Sequence, residues 1–150
     1  MSRLTRRTVL AAAFGAAALG VALPAAAQPK AAEPLKVGFV YVSPIGDAGW
    51  TFQHDTGRKE MEKALGGKVA SKYIESVPEG ADAERVIREL AQSGHQLIFT
   101  TSFGYMNPTI KVAGTFPKTH FEHATGYKSA ANVGIYNARF FEGRYLAGMV

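Results

Sequence analysis

Ala83-Glu84-Arg85-Val86-Ile87-Arg88-Glu89-Leu90-Ala91, then Gly94, then Gln96-Leu97-Ile98-Phe99-Thr100: within this one stretch the apolar period changes from helical to extended. Ala83, Val86, Ile87, Leu90 and Ala91 fall at i, i+3, i+4, i+7 and i+8, which is one stripe of a helix. Glu84/Arg88 and Arg85/Glu89 form i,i+4 pairs outside that stripe. Gly94 stops the helix, and the mostly apolar run that follows is a strand covered on both faces. The same alternation extends upstream. Residues 35–42 (LKVGFVYV) read as a first strand. Residues 50–65 read as a helix with Trp50, Gly57, Met61, Ala64 and Leu65 on one side, and residues 68–75 as the second strand. Downstream, Asn107-Pro108 supplies the N-cap and N1 residues of a helix running to about Phe116. Residues 120–125 and 132–135 are two further strands, and residues 140–150 are helical. Strands separated by helices call for parallel strands joined by right-handed crossovers. The expected fold is an α/β, doubly wound parallel sheet.

The amino terminus carries an address. Arg3, Arg6 and Arg7 precede an apolar run over residues 9–23, Pro24 ends it, and Ala25-Ala26-Ala27 supplies the small residues of a cleavage site. A run of about fifteen residues is short for a membrane-spanning helix, which needs roughly 20. Residues 1–27 are therefore expected to be a cleaved signal peptide in which Arg6-Arg7 resembles a twin-arginine signal, with a linker at 28–34 and a domain over 35–150. Localisation in the periplasm follows, with membrane association only through a partner. The leader holds three of the 17 Lys and Arg and none of the 12 Asp and Glu, so the basic balance of the chain lies mostly there. Nucleic acid is not an expected partner, because the remaining bases alternate with acids. The chain has no Cys, which excludes disulfides and thiolate chemistry. The helical pattern still runs at residues 148–150 without a C-cap, so a longer protein is expected.

An open sheet of this kind binds ligands beyond the carboxyl ends of its strands, where the strand order reverses. With the order 2-1-3-4 the crevice lies between residues 43–50 and 101–107. Asp47 and Trp50 stand in the first loop; Phe103, Tyr105 and Asn107 stand in the second. Opposed aromatic faces suit a flat ring, since stacking contributes about 1–3 kcal/mol per base. Other roles for the same residues are Trp50 as a core anchor, Phe103 and Tyr105 equally as core residues, Asp47 as a cap for the helix at Trp50, and Asn107 as a cap for its own helix.

Five stretches resemble, in order and spacing, the basic-membrane-protein family of receptors for ABC importers. They are Lys36-Val37-Gly38-Phe39-Val40, Gly46-Asp47-Ala48-Gly49-Trp50-Thr51, Phe103-Gly104-Tyr105-Met106-Asn107-Pro108, Phe121-Glu122-His123-Ala124-Thr125-Gly126-Tyr127, and Phe141-Glu142-Gly143-Arg144-Tyr145-Leu146-Ala147-Gly148. The resemblance implies the first lobe of a two-lobed periplasmic-binding-protein fold, closing by hinge motion on a purine nucleoside or a free purine base such as adenine. It implies a monomer that docks on an ABC permease in the inner membrane, without catalysis, cofactor or metal. In the nucleoside-binding members an aromatic followed by Asn stacks on the base, and the matching positions here are Trp50 and Thr51. A carboxylate after the third strand matches Asn107, a departure that favours a ligand without ribose. The implied ligand-binding residues are thus Asp47, Trp50, Thr51, Phe103, Tyr105 and Asn107.

Two other classes stand beside this one. A ligand sensor for a membrane signalling receptor would use the same closing fold. A secreted hydrolase would need a nucleophile elbow, but Thr100-Thr101-Ser102-Phe103-Gly104 has Thr where its first Gly belongs. His120 and His123 lie three apart on a strand and face opposite ways, so they do not share a metal. His54 and His95 read as ordinary helix and turn histidines.

Overall fold

A computed structural model describes residues 32–150. The leader, its cleavage site and the first part of the linker lie outside the described residues. The elements follow the expected alternation: β1 (Leu35–Val40), α1 (Trp50–Leu65), β2 (Val69–Ile74), α2 (Ala81–Gln92), β3 (Leu97–Thr100), α3 (Met106–Ala113), β4 (His120–Ala124), β5 (Val133–Tyr136) and α4 (Phe140–Ala147). The five strands form one sheet in the order β2-β1-β3-β4-β5, and every neighbouring pair is parallel. The order reverses at β1, between β2 and β3, which is where a crevice opens at the carboxyl ends.

Strand alternation divides β1 between two apolar clusters. Val40 joins Ile98, Phe121 and Val133 of the sheet with Val86, Ile87 and Leu90 of α2 and Val112 of α3. Val37, Phe39 and Tyr41 form the second cluster, against which Met61 of α1 and Phe99 of β3 pack. The α2 stripe predicted from its spacing is the buried one: Ala83, Val86, Ile87, Leu90 and Ala91 are all buried. Gly38 lets α2 approach, since a Cβ there would stand 3.1 Å from Leu90 Cδ1.

The apolar side expected for α1 is not the side that is buried. Thr51, Asp55 and Arg58 face inward, while Gly57, Ala64 and Leu65 are exposed. Burying charge is tolerable only when it is paired, and here it is. Arg58 donates to Asp55 Oδ1 at 2.8 Å, Glu62 Oε2 at 3.1 Å and Ser71 Oγ of β2 at 3.0 Å, and its guanidinium lies 4.8 Å from the Tyr73 ring centroid. Lys59 Nζ stands 2.8 Å from the other Asp55 oxygen. Burial pushes the Asp55 carboxyl up, but hydrogen bonds from Lys59 and Arg58 outweigh it and hold the group below its usual range.

Two helix boundaries also differ from expectation. A 3-10 turn over Phe103–Tyr105 leads directly into α3, so Tyr105 is the residue before the helix and Asn107 lies inside its first turn. No side chain caps this helix, because the turn already supplies a bond from Tyr105 N–H to Ser102 O. The helix ends at Ala113 rather than near Phe116, and Thr115 N–H and Phe116 N–H continue it as tighter bonds to Val112 O and Ala113 O. None of the described helices is long and apolar enough to cross a membrane.

Candidate functional site

The carboxyl ends of β1, β3, β4 and β5 share one rim. Trp50 opens α1 there, after Gly49, whose positive φ of 95° turns the chain into the helix without a side-chain cap. Asp47 is exposed and caps nothing. The Trp50 indole N–H donates to Thr101 O just past β3. Thr101 is itself tied to β1, with its N–H and its hydroxyl donating to Val40 O at 3.2 and 2.9 Å. The indole is thereby held over the gap between β1 and β3 with 36% of the residue exposed.

Other rings gather around it. The His54 centroid lies 4.5 Å from that of Trp50, tilted by 55°, and Phe140, the first residue of α4, lies 5.7 Å from Trp50. Tyr136 at the end of β5 stands 6.1 Å from His54. Burial moves the Tyr136 phenol well above its ordinary value, helped by the nearby Glu122 carboxylate, so it stays a neutral donor. These rings border a cavity of about 530 Å³ whose remaining wall comes from Gln53, Thr125, Asn137 and neighbouring backbone. A second hollow of about 440 Å³ shares Gln53, His54 and Tyr136 with it and runs beneath α1 to Phe39, Phe99, Arg58 and Met61. The pair is large enough for a flat ligand of drug-like size, for which pockets of about 300–1,000 Å³ are typical.

The loop after β3 builds a different group. Phe103, 56% exposed, pairs with Tyr127 at 6.3 Å and not with Trp50. Asn107 Oδ1 accepts from Lys128 Nζ at 2.8 Å. Glu79 accepts from Ser102 Oγ at 2.5 Å and from Gly104 N–H at 3.1 Å, which closes the loop from outside. Tyr105 is not on the rim: it is fully buried, and its hydroxyl donates to Val77 O at 2.6 Å. An aromatic next to a helix start was as good a core residue as a site residue by spacing, and the 3-10 turn points it inward. Thr51 is also buried, 2.7 Å from Ser43 Oγ. Of the six residues expected at the site, Trp50 lies in the ring-lined cavity, Phe103 and Asn107 belong to the separate group with Tyr127 and Lys128, Asp47 is on the open loop, and Thr51 and Tyr105 are packed away.

The cavity recruits His54, Tyr136 and Phe140, which spacing had not singled out. His54 could have been found, because it stands one helical turn after Trp50 and so on the same face. Tyr136 and Phe140 needed the position of β5 in the sheet. Among the described residues no group of three or more His, Asp or Glu is placed to hold a metal ion. His120 is exposed and His123 buried, on opposite faces of β4. Burial lowers the His123 pKa, partly offset by its hydrogen bond with Thr100 at 2.9 Å.

Residues 35–150 match the family model described as "ABC transporter substrate-binding protein PnrA-like". A purine-binding protein of Brucella abortus is 62% identical over 116 residues, covering 77% of this chain and 33% of that one. A Haloferax volcanii protein, to which glucose binding for an ABC transporter is provisionally assigned, is 42% identical over 114 residues, covering 76% of this chain and 29% of its own. The chain therefore spans about a third of the length of these curated relatives. Among solved structures, an ABC transporter solute-binding protein of Aeropyrum pernix superposes with a TM-score of 0.67 at 24% identity, over 78% of this chain and 32% of that one. That likeness is one of fold.

Proposed function

Because this chain belongs to the family of PnrA-like ABC transporter substrate-binding proteins, we propose that it forms the first ligand-gripping lobe of an extracytoplasmic receptor that hands a purine base or nucleoside to an importer. The family binds substrates and does not transform them, so the cleft is a place of capture. The observation that carries the purine assignment is the ring-lined cavity at the β1/β3 rim, where Trp50, His54, Tyr136 and Phe140 supply aromatic faces around a slot. A flat heterocycle between such faces gains about 1–3 kcal/mol by stacking. Gln53, Thr125 and Asn137 stand at its edges to choose among rings by hydrogen bonding.

The two curated relatives carry names of different ligand chemistry, purine and glucose. Higher identity to the former, together with a cavity lined chiefly by ring faces, supports the purine. A sugar would require several convergent hydroxyl acceptors, whereas Asp55 is committed to Arg58 and Lys59, Glu79 is committed to Ser102 and Gly104, and Asp47 stands on the open loop and does not line the ring-lined cavity. Export by the amino-terminal leader, a monomeric state, lobe closure by hinge motion, and docking on an inner-membrane permease complete the proposal. Presentation to a signalling receptor would use the same lobe.

A thermal-shift panel on the full-length protein tests it, with adenine, hypoxanthine, adenosine and glucose as ligands. A ligand at 100 times its Kd stabilises by about 2.7 kcal/mol. Stabilisation by at least one purine and none by glucose is expected; stabilisation by glucose alone would overturn the assignment.

A further inference from the structure

We propose that His54 is a specificity residue of the cleft, presenting Nε2 as a hydrogen-bond acceptor to an N–H group on the edge of a bound heterocycle. The inference rests on the purine assignment above and deepens it. Its starting point is a tautomer. His54 Nδ1 lies 2.9 Å from the backbone oxygen of Trp50. A carbonyl oxygen only accepts, so Nδ1 carries the hydrogen, and in the neutral ring the lone pair sits on Nε2. Among the described residues Nε2 has no hydrogen-bond partner, whereas the other nitrogen is anchored within its own helix.

The ring is also held in place. Trp50 lies against it at 4.5 Å, tilted by 55°, and Tyr136 closes from β5 at 6.1 Å. His54 borders both the 530 Å³ cavity and the 440 Å³ hollow, so its free edge is available where a ligand stacked on Trp50 would project its own edge. The surrounding groups differ from it in chemistry. The Tyr136 phenol is held protonated as a donor, and the Thr125 hydroxyl is engaged with Ala124 O at 2.6 Å. An anchored acceptor beside a stacking face selects a planar base with an exocyclic amine or ring N–H over one whose edge is alkylated. A site built to pair an N–H rejects the analogue lacking it, because its own acceptor is then left unpaired.

The test uses calorimetry on the full-length protein with adenine and with N6,N6,9-trimethyladenine, which keeps the ring face and lacks every edge N–H. His54→Phe keeps an aromatic wall and removes the acceptor; His54→Gln restores an oxygen near the place of Nε2. The expected result is a loss of about ten-fold in adenine affinity for His54→Phe, little change for the trimethyl analogue, and recovery of most adenine affinity in His54→Gln. Equal losses for both ligands, or no loss for adenine, would overturn the role of His54 while leaving the purine assignment standing, provided wild-type protein binds adenine and Trp50→Ala weakens it. Failure of wild-type protein to bind any purine would overturn both.

Discussion

Gly126 sits directly after the turn at Thr125, which walls the cavity, and it is the residue whose substitution the structure predicts most sharply. Its φ lies outside the left-handed region, so alanine meets no backbone obstacle there. The obstacle is a ring. A Cβ on residue 126 would stand 2.3 Å from His123 Cδ2 and 2.7 Å from Nε2, roughly 1 Å inside ordinary contact at about 3.5 Å. His123 cannot simply swing away, because it is fully buried. Its Nδ1 is hydrogen-bonded to the Thr100 hydroxyl at 2.9 Å, which in turn accepts from Thr109 at 3.0 Å. Overpacking of this kind costs about 1–3 kcal/mol, and breaking the His123–Thr100 bond to relieve it adds about 0.5–1.5 kcal/mol. The stiffer unfolded chain returns about 0.4–1 kcal/mol. Gly126→Ala is therefore expected to destabilise by about 2–3 kcal/mol in urea unfolding of the full-length protein. In a His123→Ala background the same substitution should cost nothing, giving a coupling energy of about 2–3 kcal/mol. A cost that is equal in both backgrounds, or below about 0.5 kcal/mol in the wild-type background, would refute the reasoning.

Three further outcomes are expected. Trp50→Ala should weaken purine binding by about 1–3 kcal/mol, or about 5- to 150-fold in Kd, with Trp50→Phe losing less because a ring face remains; an unchanged Kd by calorimetry would remove Trp50 from the site. Tyr105→Phe should cost about 1–3 kcal/mol of stability by leaving the buried Val77 carbonyl unpaired, with purine affinity unchanged; a loss of affinity without a loss of stability would return Tyr105 to the cleft. Asp55 has a folded pKa below its ordinary value of 3.8, since its partners outweigh its burial. It therefore contributes stability that is fully present above that value and is lost as pH falls through the folded pKa. Asp55→Asn should flatten the dependence of the urea midpoint on pH below about 4, and an unaltered slope would show that Asp55 carries none of it.

The fold was legible because it depends on periodicities that are local. The stripe Ala83, Val86, Ile87, Leu90 and Ala91, the apolar runs of β1 and β3, and their alternation determine elements and sheet type without reference to distant residues, and the stripe is the buried one. Where burial was polar, the same logic pointed to the wrong face. In α1 the interior side is Thr51, Asp55 and Arg58, whose charge is made tolerable by pairing with Lys59 and Glu62 along the helix and by the partners Ser71 and Tyr73 on β2. The candidate site was half legible for a related reason. Trp50 could be placed at the β1 rim from the strand-end rule, and the five family stretches pointed to the family.

What the chain's order of residues determined by itself is the parallel α/β architecture, the family, and the loop on which Trp50 stands. Only the tertiary structure decided that Tyr105 turns inward while Phe103 faces out, that His54, Tyr136 and Phe140 converge on Trp50, and that Asn107 meets Lys128. The physical reason is distance along the chain. Helix and strand periods are set by neighbours a few residues apart, whereas the cavity is assembled across the carboxyl ends of the sheet from β1 to β5, which β3 and β4 separate, so that it joins segments more than eighty residues apart in sequence (Trp50 and Tyr136).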